Sequence, residues 1–484
     1  MNYLELLKLA APEGIIVLVA LAVLTVGLTS DRSRNLPAVI AGFGILLAIW
    51  TTLRLPHQAN PFNGMLVVSP LNSLFKVICL FLALITVPLA ASEKSLRNPG
   101  EYLAMLLLGT VGLLLLVGSE ELLMIFIGLE LLGLSLYVLA AFDKTDIRSA
   151  EAGLKYFLFG STASAFTLFG ISLVYGMAGT TALSSIAGAI TRSPVQPLFA
   201  VGIVMTLVGF GFKIAAAPFH LWAPDAYQGA PIPSAAFIAS GSKVAAFVVL
   251  GKIVLTGFGP AHGNAGWHEM TAGWSPVLAA LAALSILLGN FVALAQTNVR
   301  RLLAYSAVAH AGYTLLGLVG GGRDGFSATL FYTTIYALTL IGAFAVTGLV
   351  RRETGGDDFQ NFAGLASRSP LTAACMAVFM LSLAGLPPLA GFVGKFYLFS
   401  AAFRAGGNYG LVWLVIVALF GSFVSLYYYL SVLRVIYLEK PATSQADDAG
   451  YFAAKATMAI LAATVLVLGL LPQSLLANIA KSVP

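Results

Sequence analysis

Apolar residues in this chain occur in long runs of about 20 residues, the length that a helix needs to cross a bilayer. Short polar segments separate the runs, and charged residues are rare within them. Hydrophobic residues make up 59% of the 484 residues and charged residues only 10%, whereas an ordinary soluble domain carries about 25% charged residues. The pattern therefore predicts an all-α polytopic membrane protein with about 14 transmembrane helices.

The limits of the predicted spans follow the apolar runs: 12–30, 36–54, 73–91, 101–118, 121–142, 151–177, 198–222, 232–257, 275–296, 301–320, 326–350, 371–403, 410–438 and 453–479. Two spans contain residues that interrupt a helix. Pro387 and Pro388 remove two backbone donors from the span 371–403, and Gly209, Gly211 and Pro218 interrupt the span 198–222. Such backbone is tolerated at membrane depth only where it is buried in protein or lines a wet cavity. We therefore expect two discontinuous helices inside the molecule.

Basic residues outside the spans lie mainly on one side of the membrane. We call the side of the N-terminus side A and the opposite side B. Fourteen basic residues fall on side B and six on side A, so the positive-inside rule predicts a cytoplasmic side B and both termini on the periplasmic side. Those on side B are Arg32, Arg34, Lys94, Arg97, Lys144, Arg148, Arg300, Arg301, Arg351, Arg352, Arg368, Arg434, Lys440 and Lys455, and those on side A are Lys8, Arg54, Arg192, Arg323, Arg404 and Lys481.

A weak internal repeat organises the chain. Both interrupted spans carry a lysine beside Gly and Phe, at Lys213 and Lys395, and paired broken helices at corresponding positions are typical of inverted-repeat transporters. We expect two inverted five-helix repeats, each a half-channel, at 101–257 and 275–438. An N-terminal three-helix segment, 1–100, precedes them, and 439–484 supplies a C-terminal transmembrane helix.

Four charged side chains lie deep inside apolar segments: Glu130, Lys213, Lys243 and Lys395. A charge near the bilayer midplane costs about 2.5–3.5 kcal/mol on insertion scales, so function is the default reason to keep one. A buried lysine balanced between burial and a carboxylate partner is able to gain and lose a proton. Three lysines and one carboxylate on four segments therefore indicate a proton path. Plainer alternatives are a protonated Glu130 that bonds a neighbouring helix, a Lys213 that reaches an interface, and a Lys395 that only caps free carbonyls.

Weaker candidates surround these four. His310 lies in mid-span and either relays protons or is simply hydrogen-bonded. Glu151 and Lys155, four residues apart on one helix face, either pair with each other or admit protons from the cytoplasm. Lys252 lies near the side A end of its span, where we expect it to extend to the membrane surface.

Other chemistry has no support in the sequence. There is no GxxxxGK[ST] motif for a nucleotide-driven pump and no CxxC or CxxCH motif for a metal or haem. Cys79 and Cys375 lie in apolar segments and are expected to pack rather than to form a disulfide. The net charge of +6 is explained by membrane topology, so we expect no nucleic-acid partner and the lipid bilayer as the surroundings.

Several stretches resemble the antiporter-like membrane subunits of bacterial respiratory complex I, and most closely those of the N type. The stretches are GLEL at 128–131, EAGLKYF at 151–157, FKIAAAPFHLWAPDAYQG at 212–229, Ser242-Lys243, RLLAYS at 301–306, HAGY at 310–313 and LPPLAGFVGKF at 386–396. The M type usually has a glutamate where Lys395 stands, and the L type continues into a long lateral helix beyond its last span.

The resemblance implies a proton-translocating subunit of NADH:quinone oxidoreductase, an enzyme complex of the translocase class. Glu130 and Lys213 would be a coupled pair, Lys243 a central relay and Lys395 the residue facing the exit half-channel. NADH, FMN, iron–sulfur clusters and quinone are expected in partner subunits, and other membrane subunits, neighbouring antiporter-like ones included, are the expected partners. The alternatives are a subunit of a multi-chain cation/proton antiporter, of a membrane-bound hydrogenase or of a photosynthetic NDH complex.

Overall fold

The computed structural model describes residues 3–29, 35–93, 95–192, 195–405, 410–440 and 452–484. These residues fold into helices, and their only extended pairings are isolated bridges such as Asn264 with Thr271. Arg32, Arg34 and Lys94, which entered the charge prediction, lie outside the described residues. The all-α prediction is confirmed.

The α-helices, numbered in chain order, are α1 Tyr3–Leu9, α2 Ala11–Thr29, α3 Asn35–Leu53, α4 Pro70–Ser92, α5 Pro99–Gly118, α6 Leu122–Ala140, α7 Ile147–Ala178, α8 Leu183–Arg192, α9 Pro197–Lys213, α10 Trp222–Gly229, α11 Ile232–Ala239, α12 Gly241–Lys252, α13 Trp274–Leu294, α14 Val299–Gly320, α15 Gly322–Thr354, α16 Leu365–Arg368, α17 Pro370–Ala384, α18 Ala390–Ala405, α19 Val412–Leu438, α20 Phe452–Leu470 and α21 Gln473–Ser482. A π-turn, Ile253–Gly257, continues α12, and 3₁₀ turns lie at Gly259–Ala261 and Phe359–Phe362.

Twelve stretches in the described part of the chain are long and apolar enough to cross a membrane, and α9 and α17 are shorter apolar helices. The structure interrupts both predicted spans: α9 ends at Lys213 and α17 at Ala384, each followed by irregular backbone. Two further breaks were not predicted. One lies at Ser240, between α11 and α12, and the other separates α20 from α21, so the expected helix 453–479 ends at Leu470.

Burial differs sharply between the helices. In α14, in α15 and in the stretch that joins α11, α12 and the π-turn, 94% of the most apolar window is buried, whereas in α2 and α3 the share is 28% and 33%. Helices buried all round form the interior of the protein, and helices with one buried stripe form its lipid- or partner-facing rim. The interior helices also carry Lys243 and His310, so these side chains lie in the core.

A buried ion pair ties the first helices together. Lys76 on α4 lies 2.5 Å from a carboxylate oxygen of Glu13 on α2, and the two side chains are 1% and 9% exposed. Neither residue was predicted to be a buried charge, because each lies near the end of its apolar run. An isolated buried charge is costly, so each member of the pair needs the other.

We expect Lys76→Met to destabilise the subunit by about 3–5 kcal/mol, because it leaves the Glu13 carboxylate buried without a counter-charge. The double variant Glu13→Gln/Lys76→Met should recover most of that loss, since it removes both charges. Heat-induced release of the subunit from the purified assembly measures both effects, with the exposed Lys8→Met as control. Equal losses for the single and double variants would contradict the account.

Candidate proton-transfer site

Glu130 and Lys213 line one small cavity. Its walls come from α6, α7 and α9, and its volume is about 20 Å³, enough for about one water molecule. Ser164 donates a hydrogen bond to Glu130 from within this cavity. No ion pair within 4.0 Å joins Glu130 to Lys213 among the described residues, so the predicted partners face the same space without direct contact. Lys213 is 4% exposed, which disfavours the alternative that it extends to an interface.

Close packing of α7 against α9 keeps this cavity small. A Cβ atom on Gly209 would lie only 1.7 Å from the Thr167 hydroxyl, so only glycine allows the two helices to approach this closely. The end of α9 is fixed by Trp222, whose indole N–H donates to the Phe212 carbonyl at 3.0 Å. Trp222 also stacks on Tyr156 with ring centroids 4.2 Å apart. Lys213 therefore stands in the last turn of a short helix, where the helix dipole favours a cation.

Lys243 lies in the first turn of α12, directly after the break at Ser240. Its Nζ donates to the Ala307 carbonyl of α14 at 2.8 Å and lies 5.5 Å from the Tyr336 ring centroid. The neighbouring Ser240 hydroxyl bonds the Ala236 carbonyl of its own segment at 2.6 Å. The ammonium thus lies against a carbonyl and an aromatic face.

Lys395 lies beside the break between α17 and α18. Its Nζ donates to the Ala384 carbonyl and to the Ser422 hydroxyl, both at 3.0 Å, and lies 5.2 Å from the Tyr313 ring centroid. Ala384 is the last residue of α17, so the end of that helix supplies the carbonyl that accepts the hydrogen bond from Lys395. The side chain is 4% exposed, and its bond to the Ala384 carbonyl fits both a proton carrier and the alternative of a lysine that only caps a helix end.

His310 stands between the last two lysines and within electrostatic range of both. Its ring lies 4.8 Å from the Tyr336 ring and 5.5 Å from the Tyr313 ring, which are the rings that Lys243 and Lys395 face. The Tyr332 hydroxyl contacts Nδ1 at 2.7 Å and the Tyr429 hydroxyl contacts Nε2 at 3.0 Å. Both ring nitrogens therefore have partners able to donate or accept a proton.

The structure thus forms two groups rather than one continuous chain. Glu130 and Lys213 share a cavity, while Lys243, His310 and Lys395 are joined through tyrosines. Within the part of the chain that the structure describes, no hydrogen bond joins Lys213 to Lys243. A proton that passes between the groups therefore needs water or a side-chain movement.

Glu151 and Lys155 belong to a separate ion network on side B. Lys155 forms ion pairs with Glu151 at 2.6 Å and with Asp225 at 2.7 Å. Asp225 also forms an ion pair with Arg301 at 2.8 Å. The network joins α7, α10 and α14, and it is half open to solvent. Sequence reasoning missed Asp225 and Arg301 as its partners, although both lie in quoted motifs, because their contacts are made between segments far apart in the chain.

Sequence reasoning also missed the tyrosines around His310, because an aromatic residue in an apolar run is usually only packing. The expectation for Lys252 is wrong: it does not reach the membrane surface but is 4% exposed. No group of three or more His, Cys, Asp or Glu residues able to hold a metal occurs in the described ranges.

Comparisons with known proteins point to the same family over most of the chain. The family described as NADH:quinone oxidoreductase/Mrp antiporter, TM, matches residues 119–425. The chain is 45% identical to NADH-quinone oxidoreductase subunit N 2 of Acidobacterium capsulatum, over 98% of this chain and 98% of that protein. It is 39% identical to NADH-quinone oxidoreductase subunit N of Desulforamulus reducens, over 98% of this chain and 97% of that protein.

Solved structures give the same picture of the fold. A chain of respiratory complex I from Thermus thermophilus with bound aureothin is 34% identical, with a TM-score of 0.81, and the match covers 97% of this chain and 100% of that one. A chain of the Mrp complex from Dietzia sp. has a TM-score of 0.85 at 21% identity, covering 100% and 97%. At that identity the likeness shows a shared fold alone.

Asp225 offers a test of the side B network. Burial raises the pKa of Asp225, but hydrogen bonds from Lys155 and Arg301 outweigh burial and hold the pKa below its usual range. A carboxylate with a lowered pKa contributes stability above the unfolded pKa of about 3.9, and that stability is lost as the pH falls through the folded pKa. We expect Asp225→Asn to lower thermal stability by about 1 kcal/mol at pH 7.

The difference between Asp225→Asn and the unmodified protein should begin to shrink as the pH falls below about 4, where the carboxyl of the unfolded chain takes up a proton. It should disappear once the pH passes the lowered pKa of Asp225 in the folded protein. Thermal inactivation of the assembly at a series of pH values measures it, with the exposed Glu439→Gln as control. A difference that stays constant down to acid pH would show that the Asp225 charge is not what ties α7 to α14.

Proposed function

The chain belongs to the family of antiporter-like membrane subunits shared by NADH:quinone oxidoreductases and Mrp antiporters, and from this premise we propose that it is the proton-translocating subunit N of a bacterial NADH:quinone oxidoreductase. It is a multi-pass protein of the inner membrane and sits among other antiporter-like membrane subunits. It carries no redox centre, because NADH, FMN, iron–sulfur clusters and quinone are bound by partner subunits.

One observation carries the proposal: ionisable side chains are buried among apolar helices long enough to cross a membrane, and they are held by groups that exchange protons or accept hydrogen bonds. Lys243 and Lys395 each donate to a carbonyl of another helix, and His310 lies between them with tyrosine hydroxyls on both ring nitrogens. A scaffold would have no need for these groups, because apolar residues of similar size would fill the same space at no cost in desolvation.

In this proposal the protein crosses the membrane 14 times. The spans are the twelve long stretches and the two interrupted ones that begin with α9 and α17. Two inverted repeats, 101–257 and 275–438, each form a half-channel, and both termini lie on the periplasmic side. The matching positions of Lys213 and Lys395 beside broken helices support the repeat, and the excess of basic residues on side B supports the orientation.

Glu130 is the point at which a neighbouring subunit acts. It is half-buried, and Ile127 and Leu134, one turn away on the same face of α6, are 48% and 54% exposed. A neighbour packed on this face is able to draw Glu130 away from the shared cavity. Lys213 then loses its counter-charge, and its ammonium, disfavoured by burial, releases a proton toward Lys243.

The proton continues from Lys243 through His310 to Lys395, and from there to side A. Each transfer moves one proton from an ammonium or imidazolium to the neutral base of the next group, so charge and protons balance at every step. The groups are close enough for the protonation of one to change that of the next. Glu151 and Lys155, on side B, admit protons from the cytoplasm in this proposal. The ion pairs of Lys155 with Glu151 and Asp225 are the structural alternative.

We expect Lys395→Ala to abolish most proton pumping by the reconstituted complex, because the last buried acceptor of the path is missing. NADH oxidation should slow or become uncoupled from pumping. Pumping is followed with a pH-sensitive dye in proteoliposomes, in parallel with NADH absorbance, and the exposed Lys481→Ala is the matched control. Full pumping by Lys395→Ala in a normally assembled complex would contradict the proposal.

A further inference from the structure

A second group of buried charges lies at the side A end of the molecule, apart from the proton path. Lys252 stands in the last turn of α12, and its Nζ donates to the carbonyls of Val117 at 2.7 Å and Ser119 at 3.4 Å. It also donates to the side-chain oxygen of Asn72. Glu120 lies 3.9 Å away. The ammonium is thus enclosed by oxygens on several sides.

These carbonyls are the open end of α5, where the helix dipole is negative and backbone oxygens lack helical partners. Lys76 reaches the same helix end from α4: a Cβ atom on Gly118 would lie 2.8 Å from its Cε and 3.0 Å from its Nζ. Lys252 therefore holds this helix end through hydrogen bonds, and Gly118 leaves the space in which Lys76 packs beside it. Lys76 has Glu13 as its counter-charge, and Lys252 has Glu120 in addition to the neutral oxygens around it.

The helix that carries Lys252 is short and discontinuous. It begins after the break at Ser240, has 12 residues and ends in the π-turn Ile253–Gly257. A helix with irregular backbone at both ends depends on side-chain contacts for its position along its axis. Lys243 lies nine residues before Lys252 on this helix, which is about 13.5 Å at 1.5 Å per residue.

We propose that Lys252 is a positioning residue: it anchors α12 to the carbonyl end of α5 and so keeps Lys243 within reach of Ala307 and the Tyr336 ring. The inference rests on the proposed function, because it assigns to Lys252 the placement of a proton carrier. Packing alone does not explain a lysine here, since an apolar side chain would fill the site without burying an ammonium.

The test compares assembled complexes that carry Lys252→Met, Lys252→Arg, Asn72→Ala or Lys243→Met, with the exposed Lys8→Met as control. Two quantities are measured: protons pumped per NADH oxidised, and backbone hydrogen exchange across residues 241–257. We expect Lys252→Met to lower pumping by about tenfold, because a small displacement of a reacting group has effects of that size. Exchange in 241–257 should rise by about tenfold as α12 loosens. Lys252→Arg, which keeps the charge, should recover most of both.

Asn72→Ala keeps the lysine but removes one of its oxygens, so it should show a smaller change in the same direction. If Lys252→Met fails to assemble, Asn72→Ala tests the positioning role of Lys252 in its place. Unchanged pumping in Lys252→Met, or lost pumping with unchanged exchange, would overturn the positioning role. Normal pumping by Lys243→Met would instead overturn the proposed function, so the two failures are distinguishable.

Discussion

The structure depends on one constraint: an ammonium ion inside a membrane protein needs oxygen atoms or aromatic faces close by. An intact helix offers few oxygens, because its carbonyls are already hydrogen-bonded within the helix. A broken helix frees them. Lys213 stands where α9 ends, and Lys243 follows the break at Ser240. Lys395 donates a hydrogen bond to the last carbonyl of α17. The break before α18 thus supplies an oxygen to Lys395, whereas the carbonyl that Lys243 contacts, Ala307, belongs to the intact helix α14.

The same arrangement makes the buried charges sensitive to movement. Lys243 and Lys395 are each held by one or two hydrogen bonds to other helices, and Glu130 and Lys213 line a small cavity without forming an ion pair. A shift of a few tenths of an ångström in a closely packed core alters such contacts, and with them the balance between charged and neutral forms. Gly209, where α7 and α9 meet, lines the same cavity as Glu130 and Lys213, so the close approach of these helices limits the size of that cavity.

Much of this was predictable from the sequence, and the parts that were not share a physical cause. Apolar runs predicted the helices and prolines predicted the break before Lys395, while the rare buried charges indicated four candidate residues whose role stays a prediction. The break at Ser240 has no proline after it to mark it, and the pairing of Lys76 with Glu13 joins helices far apart in the chain. The tyrosines around His310 and the burial of Lys252 likewise depend on tertiary contacts, which local pattern does not encode.

The central claim is that Lys213 carries protons. It is tested most directly by proton pumping in reconstituted complex with Lys213→Ala, with NADH oxidation followed in parallel and assembly checked. The account predicts that pumping and coupled turnover both collapse while assembly stays normal, because the side chain that faces the Glu130 cavity is gone. Normal pumping and turnover would contradict it: Glu130 and Lys213 would then be structural, and Lys243 and Lys395 would need another source of protons.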